Sequence, residues 1–401
     1  MHKADFFIIG GGVIGINVAI DLKKRYPDAS VVLIEKELNF GAHASGKNSG
    51  VLHAGFYYTK DSLKSKYTRD GNSYLKEYCR GKNIPINEVG KLVVTKNESD
   101  LEGLNELFRR GKENGIELIE VTEEEARQIE PKVKTFHKAL FSPTTATVDP
   151  KKILKALLDD AKNLGITIHT GVRYIKKQVN IVITSQGPYD VGYLVNTAGL
   201  YADKIAKDYG FSENYAILPF KGLYLYSTYN SEPLNTNIYP VPELNKPFLG
   251  VHFTITVDGV TKIGPTAIPA LWREQYTATS NFKVGELIEI AHRGLGLLTN
   301  SEFDFGKLAI NEFIKYRRSK MLSLASSLLR DGITNNKNWK WGKPGIRAQL
   351  IDTSKKKLEM DFVVEGDNKS MHVLNAVSPA FTCSIPFSRF VGEKIHNTLH
   401  G

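Results

Sequence analysis

Cysteine is scarce: Cys79 and Cys383 are the only two in 401 residues. That excludes a disulfide framework and a metal–thiolate cluster, and it fits a reducing, cytoplasmic setting. No stretch reaches the roughly 18 uncharged apolar residues that a membrane-spanning helix needs. The nearest, Phe6 to Ile20, is short and interrupted by Gly10, Gly11, Gly12, Gly15 and Asn17. A secretory leader is not expected either: Asp5 and the glycines break the apolar run after Lys3, and no small-residue cleavage site follows. Repeats, heptads and low-complexity tracts are also missing. With 41% hydrophobic and 24% charged residues, the chain is neither disordered nor fibrous.

The length calls for about two or three domain-sized units. Acidic residues are outnumbered, 43 against 53 Lys plus Arg, for a net charge of +10. Such an excess points to nucleic acid, an anionic membrane surface or an acidic small substrate. The bases are spread along the chain without a nucleic-acid-binding signature, so no nucleic acid partner is expected. Phe305 to Leu329 reads as one long helix, with Lys307, Lys315, Arg317, Arg318 and Lys320 beside Phe313, Ile314, Met321, Leu324 and Leu328. A helix of this kind either packs on its own domain with a solvated basic face or lies on an anionic bilayer. The first reading is favoured, and peripheral contact with the inner face of a membrane through 305–329 stays open.

What is present is a nucleotide site. Phe6 to Ile9 is a continuous apolar run, as in a buried parallel strand, and Gly10-Gly11-Gly12-Val13-Ile14-Gly15 follows at once. Ile16 to Arg25 reads as a helix and Val31 to Ile34 as a second strand, closed by Glu35 at the interval the motif requires. Gly10 permits the tight turn, Gly12 lets backbone approach a pyrophosphate, and Gly15 lets helix and strand pack closely. The helix N-terminus offers N–H groups to phosphates, and Glu35, followed by Lys36, can accept from ribose hydroxyls. The unit alone does not separate NAD from FAD, but its position at the start of the chain leans towards FAD.

The segment from Gly41 to Tyr58 is rich in small residues and includes Ser45, Lys47, Asn48, Ser49, Gly50 and His53. It resembles the second FAD-contact region of the D-amino-acid-oxidase-like flavoproteins. Asn48-Ser49-Gly50-Val51-Leu52-His53-Ala54-Gly55 looks in particular like the L-2-hydroxyglutarate oxidase/dehydrogenase branch. Similar matches run on through Gly90 to Val94, Val195 to Leu200, Ile238 to Pro242, Phe248 to Thr254, Ile263 to Ala267, Pro344 to Gln349 and Asn375 to Ala380. Three places depart from the pattern: Lys47 for Arg, Lys221-Gly222-Leu223 for an Arg-Gly turn, and the bulky run Phe381-Thr382-Cys383-Ser384.

The resemblance implies an α/β fold, with an FAD-binding Rossmann-like domain and an inserted α+β substrate domain on an antiparallel or mixed sheet. The first would take 1–80, 149–210 and 343–401, and the second 81–148 and 211–342. Asp149 to Leu164 reads as a helix with Pro150 at its start, and Asn235 to Pro247 as a loop. Val172 matches the residue whose backbone pairs with adenine. Ala198 and Gly199 return the chain to the cofactor, and Gly345, Ala380, Phe381 and Thr382 belong to its C-terminal cap. There a helix start would meet the flavin pyrimidine ring.

The implied activity is FAD-dependent oxidation of a 2-hydroxy acid, foremost L-2-hydroxyglutarate to 2-oxoglutarate, by hydride transfer to flavin N5, with oxygen or a quinone as electron acceptor. Such chemistry needs a carboxylate clamp and a base. Arg347, in a Gly-x-Arg setting, is the first choice for the clamp, because a guanidinium fork matches a carboxylate. Arg273 and Lys221 are weaker candidates for a distal carboxylate. His252 and His53 are the candidate bases, with His252 slightly preferred; the other histidines, His43 among them, have no comparable setting. No metal site is expected, and a thioether from Cys383 to the flavin is disfavoured. A glycine or sarcosine type amine oxidase shares the implied fold and is the rival enzyme reading. A flavin-binding subunit or membrane-surface scaffold is the rival of another class.

Overall fold

The computed structural model describes residues 2–228, 231–244, 248–300 and 305–401. Its organising element is the strand His2–Ile9, whose Phe6 to Ile9 are buried on both faces. In parallel register it pairs Phe6–Ile9 with Val31–Ile34 on one side and with Tyr193–Asn196 on the other. Two further parallel neighbours, Thr167–Thr170 and Ser370–Val373, extend the sheet. This register brings Gly10, Glu35 and Thr197 together at the carboxyl edge, where open α/β sheets bind ligands.

Helices Val13–Arg25, Pro150–Asn163 and Ala380–His400 cover one face through Ile16, Ala19, Leu157, Phe387 and Val391. The sequence explains their ends. Asp149 accepts from Lys151 N, and Pro150 occupies the first turn, where its missing N–H is harmless. Gly15 has no room for a side chain: a Cβ there would stand 2.0 Å from Gly10 O. The hairpin Tyr174–Gln178 and Ile181–Thr184 continues from the long strand Gly187–Asn196 and helps to cover the opposite face.

A second 8-stranded sheet runs in the order Trp339–Trp341, Leu225–Ser227, Thr261–Gly264, His252–Ile255, Asn237–Pro240, Lys91–Val94, Lys138–Ser142, Ile119–Thr122. Strand alternation gives it two unlike faces. Leu92, Val94, Ile238, Phe253 and Ile263 pack on Met321, Leu322 and Ala325 of the helix Arg318–Ser326. The opposite face carries Lys91, Val93, Tyr239, His252 and Thr254, all buried. A 4-stranded sheet joins Tyr215–Gly222 to Gly345–Asp352 and sets Phe220 opposite Arg347.

Two expectations about elements change. The loop expected over 235–247 contains the strand Asn237–Pro240, because its parallel pairing with Lys91–Val94 outweighs the local Pro and Asn signals; 245–247 lie outside the described residues. The single helix expected over 305–329 is divided into Phe305–Phe313, a 3₁₀ turn Ile314–Tyr316 and Arg318–Ser326, with Arg317 extended at the break.

Candidate active site

A cavity of about 870 Å³ runs from the Gly10–Ile14 turn, past Ser45 to Ser49, to His53, Tyr224, Arg347 and Thr382. Its nucleotide end is a backbone cradle. Gly11 N donates to Glu35 Oε2 at 2.9 Å and Glu37 N to Glu35 Oε1 at 3.0 Å, so the carboxylate is pinned at the strand end. Val13 N donates to Ser45 Oγ at 2.9 Å, while the N–H groups of Gly12 and Ile14 have no acceptor among the described residues. Those free donors, at a helix N-terminus facing a cavity, suit a pyrophosphate. Gly12 could not carry a Cβ without pressing on Ser45 Oγ at 3.0 Å. These residues fit a dinucleotide.

Of the expected cofactor residues, Gly10, Gly12, Val13, Ile14, Glu35, Lys36, Ser45, Asn48, Ser49, Val172, Ala198, Gly199, Gly345, Ala380, Phe381 and Thr382 line this cavity. Gly15 and Gly50 do not. Gly15 serves helix–strand packing, and Gly50, at φ 73°, lies against Val148 O. Val172 N donates to Glu35 O at 2.9 Å, which leaves only its carbonyl for a ligand. Lys36 is engaged by Glu37, by Glu274 at 2.7 Å and by His43 Nε2 at 2.9 Å. His43, given no role from the sequence, therefore belongs to the nucleotide end, with its Nδ1 2.7 Å from Tyr276 Oη. Glu37, His43 and Glu274 converge as a metal site would, but the Lys36 ammonium holds them together instead.

At the other end, the strand Val51–Leu52 delivers His53 to the cavity wall. His53 N donates to Thr382 Oγ1 at 3.2 Å, and Thr382 Oγ1 donates to Val51 O at 3.2 Å, stitching this strand to the start of the last helix. Asn72 supports the turn from behind by donating to Leu52 O and His53 O. No sequence motif marked Asn72. Burial, with the Lys91 and Arg347 charges, pushes the His53 imidazole down to about 3, so it is neutral at physiological pH.

His252 is placed differently. Its ring stacks on Tyr239 at 3.6 Å, its Nδ1–H donates to Gly250 O at 2.9 Å, and it does not line the cavity. Of the two candidate bases, His53 therefore lines the cavity and His252, the slightly preferred one, does not. Arg347, half-buried in the cavity wall, lies 5.5 Å from the Phe248 ring and has no carboxylate partner among the described residues.

The two weaker candidates for a distal carboxylate go elsewhere. Arg273 is fully buried and bound to Asp203 at 2.7 and 2.9 Å and to Glu289 at 2.8 Å, with Leu200 O as a further acceptor. Such a guanidinium holds loops together and has no fork left for a substrate. Lys221 is buried near the Tyr316 ring and is absent from the cavity wall. Cys383 does not line the cavity either; burial raises its thiol to about 12, and it shares a hydrogen bond with Thr68 at 3.3 Å. A protonated, enclosed thiol is no nucleophile towards a flavin.

Residues 5–361 match the FAD dependent oxidoreductase family designated DAO. The chain belongs to that family. L-2-hydroxyglutarate dehydrogenase from Indibacter alkaliphilus is 35% identical over 394 residues, covering 96% of this chain and 97% of the relative. The protein of that name from Escherichia coli K12 is 32% identical over 414 residues, covering 98% and 94%. Among solved structures, L-alpha-glycerophosphate oxidase from Mycoplasma pneumoniae with FAD bound superposes with a TM-score of 0.74 at 24% identity, covering 100% of this chain and 96% of that one. Glycine oxidase from Geobacillus kaustophilus gives 0.72 at 16%, covering 99% and 96%. The family and branch resemblance, the α/β fold class and the FAD cofactor read from the sequence are thus borne out. This chain is an FAD-dependent oxidoreductase.

Proposed function

We propose that this enzyme oxidises L-2-hydroxyglutarate, or a close 2-hydroxy acid, to the 2-oxo acid. The observation that carries the reading is Arg347, a guanidinium without a carboxylate partner among the described residues, in one cavity wall with a neutral histidine. The names of the near-full-length relatives give the reading its substrate class. Gly10–Ile14 and Glu35 would hold FAD, which when bound would supply the hydride acceptor. Arg347 takes the C1 carboxylate on its planar fork and so fixes which face of C2 is presented. His53, whose ring has no hydrogen-bond partner among the described residues, accepts the hydroxyl proton. The start of the helix Ala380–His400 puts Ala380, Phe381 and Thr382 in the cavity wall, where its positive end would favour negative charge on a bound flavin.

The same reading divides the chain into an FAD-binding domain of 1–80, 149–210 and 343–401 and a substrate domain of 81–148 and 211–342. In its support, the strands of the first 8-stranded sheet all fall in the first set and those of the second 8-stranded sheet in the second, with the 4-stranded sheet joining the two sets. Incubating the flavin-loaded protein with L-2-hydroxyglutarate and an artificial acceptor, then measuring 2-oxoglutarate, tests the activity. Stoichiometric 2-oxoglutarate is the expected result, and its absence with active flavin present removes the reading.

For the electron acceptor, the reading favours a quinone reached by peripheral membrane contact. Val284, Ile288, Ile310, Phe313 and Ile314 are exposed on helices Val284–Asn300 and Phe305–Phe313 and the turn after them, close in sequence to Arg317 and Lys320. Exposed apolar side chains followed along the chain by bases suit an anionic bilayer. No helix among the described residues is long and apolar enough to cross one.

A further inference from the structure

Lys91 has no use in the chemistry so far. It opens the strand Lys91–Val94, is 0% exposed, and its Nζ has no hydrogen-bond partner among the described residues. Three rings surround the ammonium: Phe56 at 4.4 Å, Tyr57 at 4.6 Å and Tyr239 at 5.0 Å. Its cross-strand neighbours Asn237 and Ser142 offer no anion. Asn237 is spent on Gly90 O and Ile255 N, and Ser142 on Thr145. The Tyr57 hydroxyl is likewise buried without a hydrogen-bond partner among the described residues.

Burying a lone ammonium is unfavourable, and ring faces compensate it only in part. The buried guanidinium of Arg273, by contrast, is paired with two acids. Lys91 shares its surroundings with the active site: it and Arg347 are the charged side chains that act on His53, and both act on His252 as well. No acid is among those groups. The Tyr239 ring joins Lys91, at 5.0 Å, to His252, at 3.6 Å, and Arg347 shares a cavity wall with His53; neither cation has a carboxylate partner among the described residues, and a 2-hydroxydicarboxylate brings two carboxylates. Lys91 lies beside the cavity rather than in its wall, so its long stem or the Tyr57 ring must move to complete the contact.

We propose that the Lys91 ammonium, with the Tyr57 hydroxyl, receives the distal carboxylate of the substrate whose C1 carboxylate lies on Arg347. This makes Lys91 the residue that selects a dicarboxylate over a monocarboxylate, and it rests on the 2-hydroxy acid reading above.

The test compares the flavin-loaded protein with K91M and Y57F, using L-2-hydroxyglutarate and L-2-hydroxypentanoate, which has the same chain length and no distal carboxylate. Binding of glutarate and of butyrate, followed through the flavin spectrum, gives a readout independent of turnover. Met fits an aromatic cage and removes an uncompensated charge, so K91M should fold and hold flavin as the parent does. In K91M the KM for L-2-hydroxyglutarate and the Kd for glutarate should rise by roughly 30-fold or more, with the monocarboxylates unchanged. Y57F should weaken glutarate alone, by a smaller factor. Equal losses on both chain types, or a shifted pH profile without a change in glutarate binding, would mean that Lys91 acts only through the histidines and overturn the assignment. Unchanged glutarate binding in K91M overturns it and leaves the 2-hydroxy acid reading standing. A parent protein that oxidises neither hydroxy acid overturns both.

Discussion

Arg347 and His53 sit on different sheets and meet only across the cavity, so each can be removed without removing the other's support. Replacing Arg347 by Ala takes away a charge-assisted fork and should lower kcat/KM by about 2–5 kcal/mol, mostly through KM, while flavin content is unchanged. Steady-state kinetics on the flavin-loaded variant reads this directly. Replacing His53 by Gln should lower kcat by roughly 10²–10⁴-fold with the flavin still bound.

The pH dependence follows from the same groups. Burial and the Lys91 and Arg347 charges hold His53 near 3, so the free enzyme should lack the acid limb near 6.5 of an ordinary histidine. Burial alone pushes Lys91 down to about 7 and Lys262, whose Nζ donates to Ser49 O at 2.5 Å, down to about 8. Both lose their charge as pH rises. A profile of kcat/KM for L-2-hydroxyglutarate should therefore fall from about pH 7 upward, whereas kcat, measured with the dianion bound, should hold to higher pH. A profile that is flat above pH 8 and falls only in acid would contradict this assignment of charges.

Among the elements, the sequence disclosed those whose signal is local. The glycine turn, the helix beginning at Asp149-Pro150 and the buried run Phe6 to Ile9 are found where apolar period and cap residues place them. The strand Asn237–Pro240 was obscured because its pairing partner is far away in the chain, and no local rule weighs that. The contacts of Arg273 were hidden for the same reason: nothing near it announces Asp203 or Glu289. That cluster is testable at this scale. Burial works to raise Glu289, but hydrogen bonds from Lys204 and Arg273 prevail and hold it at about 2. A carboxylate held low stabilises the fold above its unfolded value near 4.5, and that contribution is lost as pH falls towards 2. Arg273→Ala should cost about 3–5 kcal/mol, because buried Asp203 loses its bidentate partner and keeps only the more distant Arg293, at 3.7 Å. Thermal unfolding should show this as a drop of several degrees in Tm, with the greater part of the loss at neutral pH.

On the scale of the whole molecule, the +10 charge has distinct destinations. Arg273 is absorbed by internal acids, Arg347 stands in the cavity wall with Lys91 buried beside it, the pair proposed above to receive an anionic substrate, and Arg317 and Lys320 follow an exposed apolar surface. Phospholipid vesicles should separate the last of these from the rest. The enzyme should sediment with anionic vesicles and not with neutral ones, and I310E/F313E should abolish binding without changing turnover with a soluble acceptor. The cofactor half of the site was legible in the sequence because glycine and acid spacing encode it along the chain. The other half was only partly so, since Lys91, Tyr239 and His252 come together only when the strands pair and share one face of the sheet.

That the site is built for an L-2-hydroxy dicarboxylate is tested most directly by mixing the oxidised, yellow enzyme without oxygen with one substrate at a time. L-2-hydroxyglutarate should bleach the flavin fully and fastest, with D-2-hydroxyglutarate, lactate and glycine slow or inert. Bleaching by glycine or sarcosine, with L-2-hydroxyglutarate leaving the spectrum unchanged, would contradict it and point to amine oxidation.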